Sequence, residues 1–185
     1  MVEGVLREAE SRMEKAIEAL KRDLAGIRSS RASPALVQHV KVDYFGVPTP
    51  INQVANISVP EPKLLVIQPW DKSIIGSIEK AVLKSDLGLT PINDGNVLKL
   101  PIPPLSEERR KELVRVVRKR VEEGRVALRN IRREAMETLR SQEKAKQVSQ
   151  DEHARANGLL QKVTDGFIAQ ASRIGEAKEG ELLEF

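Results

Sequence analysis

The chain has 185 residues, 40% of them hydrophobic, and its 31 Lys and Arg against 27 Asp and Glu give a formal net charge of +4. This length fits one large or two small domains, and with only five aromatic residues the core must consist mostly of aliphatic side chains. The absence of cysteine excludes disulfides, thiolate chemistry and zinc sites built on cysteine. Without an N-terminal apolar region or an apolar run of membrane-spanning length, we expect a cytoplasmic protein with no membrane partner.

The first predicted element is an amphipathic helix. Its apolar residues recur at alternating steps of three and four, which is the spacing of a narrow helical seam. One helix cannot bury such a seam alone, so the pattern predicts partner helices. The seam comprises Leu6, Ala9, Met13, Ala16 with Ile17, Leu20, Leu24 and Ile27.

Between residues 31 and 104 the pattern changes to short strands and turns. Pro48 and Pro50 predict an edge strand, because proline has no N–H for a strand ladder. Asp71 predicts the N-cap of a short helix through Ser85 that stops at Gly88. We expect the adjacent Trp70 to pack in the core rather than to stack on a base. The predicted strands are 40–45, 48–51, 54–59, 64–68 and 97–102.

Two long helices follow. Ser106 predicts the N-cap of the first, and Ser149 with Glu152 three residues later predicts a capping box for the second. The last helix carries four glycines, each costing about 1 kcal/mol relative to alanine, which predicts a looser helix. These glycines are Gly158, Gly166, Gly175 and Gly180. Its apolar seam is predicted to comprise Ala156, Leu160, Val163, Phe167, Ala171, Ile174 and Lys178 or Leu182.

Together these elements predict an α+β fold, an antiparallel three-helix bundle with an inserted small β/α/β domain. The bundle is predicted to comprise residues 1–29 plus 105–185, and the inserted domain residues 30–104. Chain crossings at 29–31 and 102–105 predict a hinge. The hinge residues are Ser29, Ser30, Arg31, Pro103 and Pro104.

Basic residues are concentrated on the first long helix. Residues 105–148 hold 14 of the 31 Lys and Arg against eight acidic residues. At about 100° per residue, eight of these side chains fall in an arc roughly 100° wide, away from the apolar stripe. Glu122 is the only acidic residue in this arc, so the arc is expected to be nearly unneutralised. The members of this basic arc are Lys111, Arg115, Arg118, Arg125, Arg129, Arg132, Arg133 and Arg140.

A long arc of one charge sign, rich in arginine, indicates a nucleic-acid partner, because the planar guanidinium matches phosphate oxygens. The alternative is a solvated face whose arginine stems cover apolar surface. Catalytic motifs are lacking. His39 and His153 fall in different predicted domains, and no glycine-rich phosphate loop is present.

Five motifs also carry a family resemblance. They lie at residues 28–34 (RSSRASP), 42–50 (VDYFGVPTP), 85–89 (SDLGL), 104–113 (PLSEERRKEL) and 129–134 (RNIRRE). On these motifs, which span both predicted domains, the chain resembles the bacterial ribosome recycling factor family.

The resemblance implies an L-shaped fold and a non-enzymatic translation factor that splits post-termination ribosomes. The implied partners are the 70S ribosome, mainly its large-subunit rRNA, and elongation factor G, which carries the GTP. No cofactor or metal is implied, and we expect a monomer. By position Arg28, Arg129, Arg132 and Arg133 take the RNA-binding role. To these our own charge analysis adds Arg110, Arg118 and Arg125.

One position departs from the family pattern. The family elbow usually reads Arg-Thr-Gly-Arg, whereas this chain has Arg28-Ser29-Ser30-Arg31. Serine restricts the backbone more than glycine does, which predicts a stiffer elbow.

Two other classes of function stay open on the residues alone. A protein-interaction module, such as a helical chaperone, would direct the basic arc at an acidic partner. A steep salt dependence would distinguish phosphate contacts from that alternative. An enzyme would require a pocket with perturbed titratable groups, for which the sequence offers no candidate.

Overall fold

The computed structural model describes residues 2–184 and has four α-helices and six β-strands among them. The helices are α1 (Val2–Ala25), α2 (Ile75–Lys84), α3 (Glu107–Lys144) and α4 (Gln150–Leu183). The strands are β1 (Lys41–Tyr44), β2 (Val47–Pro50), β3 (Ala55–Glu61), β4 (Leu64–Pro69), β5 (Ile92–Asn93) and β6 (Leu98–Pro101). The predicted α+β class is confirmed.

Helices α1 and α3 pack side by side in opposite directions. Arg12 of α1 pairs with Glu134 of α3 at 2.7 Å, and Asp23 pairs with Arg120 at 3.5 Å. Residue numbers therefore rise along α1 while they fall along α3. This is the antiparallel arrangement that the apolar seams predict.

Helix α4 completes the bundle. Its contacts with α3 run from Glu179 beside Arg118 to Gln161 beside Arg132, so these two helices are also antiparallel. Thr164 of α4 lies against α1, with its hydroxyl 4.0 Å from the sulfur of Met13. The predicted three-helix bundle is confirmed.

The predicted seam of α1 is buried in its central part, whereas that of α4 needs a correction. Thr164 and Gly175 are buried where Val163 and Ile174 were predicted, and Val163, Phe167 and Ile174 are only half-buried. The buried positions of α4 are separated by steps of four and seven residues, so the contact line follows Thr164 and Gly175 rather than the residues that precede them. The buried seam residues of α1 are Ala9, Met13, Ile17, Leu20 and Leu24.

Two antiparallel sheets form the β region. Strands β1 and β2 pair with Lys41 opposite Pro50, so the proline strand has a single partner, as an edge strand must. The second sheet has the order β3-β4-β6-β5. Strand β5 has only two residues and was not predicted, because so short a segment shows no alternation. Helix α2 lies against β1.

Trp70 is 70% exposed, and the prediction that it packs in the core is wrong. Alternation along β4 explains the error, because Leu65, Ile67 and Pro69 face inward and the next position therefore faces outward. Asp71 caps a 3-10 turn over Lys72–Ile74 that leads into α2, accepting a hydrogen bond from the Ser73 N–H at 2.9 Å.

The helix α2 ends at Lys84, before the predicted stop. Ser85 has an extended backbone and closes the last turn with N–H bonds to the carbonyls of Ala81 and Val82. Gly88 does adopt a positive φ of 64°, but it lies beyond the helix end. The glycine therefore shapes the following turn.

The chain divides into two compact units. One comprises the chain up to Leu24 together with Glu112–Gly180, and the other comprises Ala25–Lys111 and the residues from Glu181 onward. The second unit has its own core, which includes Val37, Ile51 and the residues facing inward from β4, α2 and β6. The predicted domain limits at 29–31 and 102–105 stay a prediction.

Candidate nucleic-acid interface

Helix α3 carries the basic arc on one uninterrupted element of 38 residues. Its start is fixed locally, since the Ser106 hydroxyl accepts a hydrogen bond from the Arg109 N–H at 3.2 Å. Glu107 and Glu108 occupy the first turn, where the helix dipole favours negative charge. Because no break interrupts the helix, its basic side chains keep a common flank.

Arg118 is held by a carboxylate from the neighbouring helix. Its guanidinium donates hydrogen bonds of 3.1, 3.2 and 2.9 Å to the two carboxylate oxygens of Glu179 on α4. This bidentate geometry raises the pKa of Arg118 above its ordinary value. Glu179 therefore holds the Arg118 side chain in place, and Arg118 is a paired residue.

Glu122 binds two arginines at once. Its Oε1 accepts from Arg129 at 3.0 Å and its Oε2 accepts from Arg125 at 3.3 Å. The same bonds hold the pKa of Glu122 below its ordinary value, with Arg129 the larger cause and Arg125 the second. Arg125 also donates to the Ser172 hydroxyl of α4 at 2.7 Å.

Beyond Arg129 the arginines of the basic arc have no carboxylate partner among residues 2–184. Arg132 is half-buried and donates to the amide oxygen of Gln161 on α4, while its Nε is buried without a hydrogen-bond partner. Arg133 and Arg140 are exposed, and neither forms an ion pair or hydrogen bond with residues 2–184. Positive charge without a carboxylate partner among residues 2–184 therefore lies at this end of α3. Near the other end, Arg115 is likewise exposed and without such a partner, whereas Lys111 pairs with Glu107 at 2.6 Å.

The expectation of a nearly unneutralised arc is wrong for residues 118–129. The expectation considered only the acidic residues of α3, whereas Glu179, which pairs with Arg118, lies on α4. The sequence prediction also missed the α4 residues that contact these arginines, namely Gln161, Ser172 and Glu179. Their spacing could have indicated them, because about three helical turns separate the first two and about two turns separate the last two, which puts all three on one flank of α4. The sequence does not show, however, that this flank of α4 faces the arginines of α3.

Arg28 and Arg110 belong to the second unit, apart from the arginines at 118–133. Arg28 donates to the Pro103 carbonyl at 2.8 Å, and its Nε is buried without a partner. The pKa of Arg28 is lowered, mainly because the guanidinium is partly buried and secondly because of the like charge of Arg109. The Nε of Arg110 donates to the Leu105 carbonyl at 3.2 Å.

The predicted hinge residues also fall in the second unit. Ser29 and Ser30 are buried, and the Ser29 hydroxyl accepts a hydrogen bond from the Arg31 N–H at 3.2 Å. The Arg31 guanidinium pairs with Glu184 at 2.6 Å, while Pro103 and Pro104 are exposed. Neither serine has a positive φ, so their backbone conformations do not require glycine. Their role as a hinge stays a prediction.

The remaining titratable groups form no comparable arrangement. His153 pairs with Glu143 at 3.1 Å near the turn between α3 and α4. Within residues 2–184, His, Asp and Glu side chains nowhere gather in threes as metal ligands. No helix in the same range is both long and apolar enough to cross a bilayer.

A sequence model of the family described as "Ribosome recycling factor" matches residues 20–183. The chain belongs to the ribosome recycling factor family. Among curated relatives, the ribosome-recycling factor of Syntrophomonas wolfei is 56% identical over the full length of both chains, and that of Dehalococcoides mccartyi strain CBDB1 is 53% identical over 98% of both.

Two solved structures of ribosome recycling factors resemble the fold. A solution structure superposes with a TM-score of 0.78, at 47% identity, covering 98% of this chain and 97% of that one. The second is described as the T. thermophilus ribosome recycling factor and the E. coli elongation factor G bound to the E. coli post-termination complex. It has a TM-score of 0.72 and 49% identity over all of both chains.

Proposed function

We propose that this chain recycles ribosomes after termination, by binding the post-termination ribosome through large-subunit rRNA and promoting subunit splitting together with elongation factor G. The observation that carries the proposal is the arginine end of α3, where Arg133 and Arg140 are exposed and without a carboxylate partner in the described part of the chain. Membership of the family, and a relative described with elongation factor G on a post-termination complex, support it.

In this proposal the arginines bind phosphates directly. Arg132 and Arg133 make the first contacts because no carboxylate has to be displaced from them. Arg118, Arg125 and Arg129 follow by exchanging their carboxylate partners for phosphate oxygens. Arg28 and Arg110 would bind RNA from the second unit.

The chain itself would be non-enzymatic and act as a monomer in the cytoplasm. Elongation factor G would bind and hydrolyse the GTP, so splitting should need both proteins and the nucleotide. Light scattering of post-termination ribosomes tests this: we expect splitting with both factors and GTP, and none when either factor is omitted.

The RNA contact is tested by Arg133→Ala, with Arg120→Ala as its matched control. Both substitutions remove an exposed arginine from α3, but Arg120 lies on the opposite flank beside Asp23. We expect Arg133→Ala to weaken binding to isolated large ribosomal subunits about tenfold to hundredfold. The slope of log affinity against log salt should fall by roughly 0.7–0.9, the contribution of one phosphate contact.

Folding should be unaffected by either substitution, because exposed changes rarely alter the unfolding free energy by more than about 0.5 kcal/mol. Thermal melts check this. Equal loss of binding in the two variants would contradict the assignment of the RNA face. Wild-type chain that fails to bind large subunits at low salt would overturn the proposed function.

A further inference from the structure

We propose that Glu122 limits the affinity of the basic arc for RNA, by occupying Arg125 and Arg129 in the place of a phosphate. The inference rests on the proposed function and concerns a residue with no role in it so far. Glu122 is the one carboxylate of α3 inside the arc, and each of its oxygens binds a different arginine.

The geometry makes this carboxylate a substitute for a phosphate. A carboxylate and a phosphate both present oxygens at the spacing that guanidinium groups bind. At 3.0 and 3.3 Å from the two arginine nitrogens, the oxygens of Glu122 occupy positions that a phosphate bound to Arg125 and Arg129 would need. RNA must therefore displace Glu122 or bind beside its negative charge.

Exposure indicates that this displacement is feasible. The Glu122 side chain is 52% exposed and accepts one hydrogen bond from each arginine, and such solvated pairs are weak. Glu179 differs, since it is 22% exposed and binds Arg118 through both oxygens. Glu179 therefore ties α4 to α3, whereas Glu122 can exchange its partners.

An open groove of about 330 Å³ runs beside these residues, lined in part by Arg118, Glu122 and Arg125. It leaves Glu122 and Arg125 accessible from solvent, and the Arg129 side chain is 46% exposed, so an RNA backbone can approach them without rearrangement of the helices. A factor that must leave the ribosome after each round benefits from such a limit, because weaker binding shortens the residence time.

The test is Glu122→Gln, which keeps the shape of the side chain and removes its charge. The matched control is Glu123→Gln, which changes the net charge equally at the neighbouring position, off the basic arc. Affinity for isolated large ribosomal subunits is measured across a salt series. We expect Glu122→Gln to bind about three- to tenfold tighter than wild type and with a steeper salt slope. Glu123→Gln should stay close to wild type.

A second comparison separates the mechanism from a general charge effect. In the Arg125→Ala/Arg129→Ala double variant, adding Glu122→Gln should give no gain, because no arginine remains to be released. An equal gain in that background, or equal affinities of Glu122→Gln and Glu123→Gln, would overturn the inference. So would weaker binding by Glu122→Gln, since Glu122 would then position the arginines for RNA. Wild-type chain that does not bind at low salt overturns the proposed function instead.

Discussion

Single side chains decide how closely the helices of the bundle approach. A Cβ on Gly175 of α4 would lie 2.6 Å from Cγ2 of Val121 on α3, a distance so short that the Val121 side chain or one of the helices would have to shift. Gly158, Gly166 and Gly180 have no such neighbour within 4 Å. The four glycines of α4, all predicted to loosen the helix, therefore have different roles, and of these only Gly175 is required by packing.

We predict opposite effects for two glycine-to-alanine changes in α4. Gly166→Ala should raise the unfolding free energy by about 1 kcal/mol, because alanine favours the helix and restricts the unfolded chain. Gly175→Ala should lower it by about 1–3 kcal/mol, through overpacking against Val121. Denaturant unfolding of both variants measures the difference. Changes in the same direction would contradict the close contact at Gly175.

At the scale of elements, the two long helices α3 and α4 start at their predicted caps, Ser106 and Ser149. The capping box of α4 is confirmed: the Ser149 N–H donates to Glu152 Oε2 at 2.9 Å, and the Glu152 N–H donates to the Ser149 hydroxyl at 3.2 Å. The bond from the Ser149 backbone is the largest cause that lowers the pKa of Glu152, followed by the Ser149 hydroxyl. The helix start is therefore coupled to the ionisation of one carboxylate.

This coupling predicts a pH-dependent effect of Glu152→Gln. A carboxylate whose pKa is lower in the folded than in the unfolded chain stabilises above the unfolded value, here about 4.5, and loses that effect as pH falls through its folded pKa. Wild type should therefore melt higher than Glu152→Gln at pH 7, and the difference should vanish in acid. Asp151→Asn is the control, because Asp151 occupies the same turn outside the box. A difference independent of pH would contradict the prediction.

At the scale of the whole molecule, the sequence predicts two domains joined at residues 29–31 and 102–105. The chain has serine at position 30, and glycine there would widen the accessible backbone. We predict that Ser30→Gly broadens the spread of orientations between the predicted domains.

Spin-label distances can measure that spread. The chain has no cysteine, so Lys80→Cys and Glu137→Cys, both at exposed positions, supply two unique labelling sites. The distance distribution between them should widen in Ser30→Gly relative to Ser30, with thermal melts to verify folding. Equal distributions would show that position 30 does not limit the elbow.

The sequence by itself determined the local features of this protein. The seam of α1, the caps at Ser106 and Ser149, the proline edge strand and the common flank of the basic arc on α3 all follow from the spacing of residues within one element. Such spacings fix which side chains share a face, whatever the rest of the chain does. The fold class could be predicted from these spacings, whereas the family resemblance depended on the five motifs that the sequence contains.

Only the tertiary structure decided which faces meet. It brought Glu179 of α4 to Arg118 of α3 and buried Thr164 in place of Val163. These outcomes depend on the alignment of elements far apart in the chain, and alignment follows from packing that periodicity within one element does not contain. The charge available to a partner was therefore set by neighbouring helices, because a carboxylate on one helix neutralises an arginine on another only where the two lie in contact.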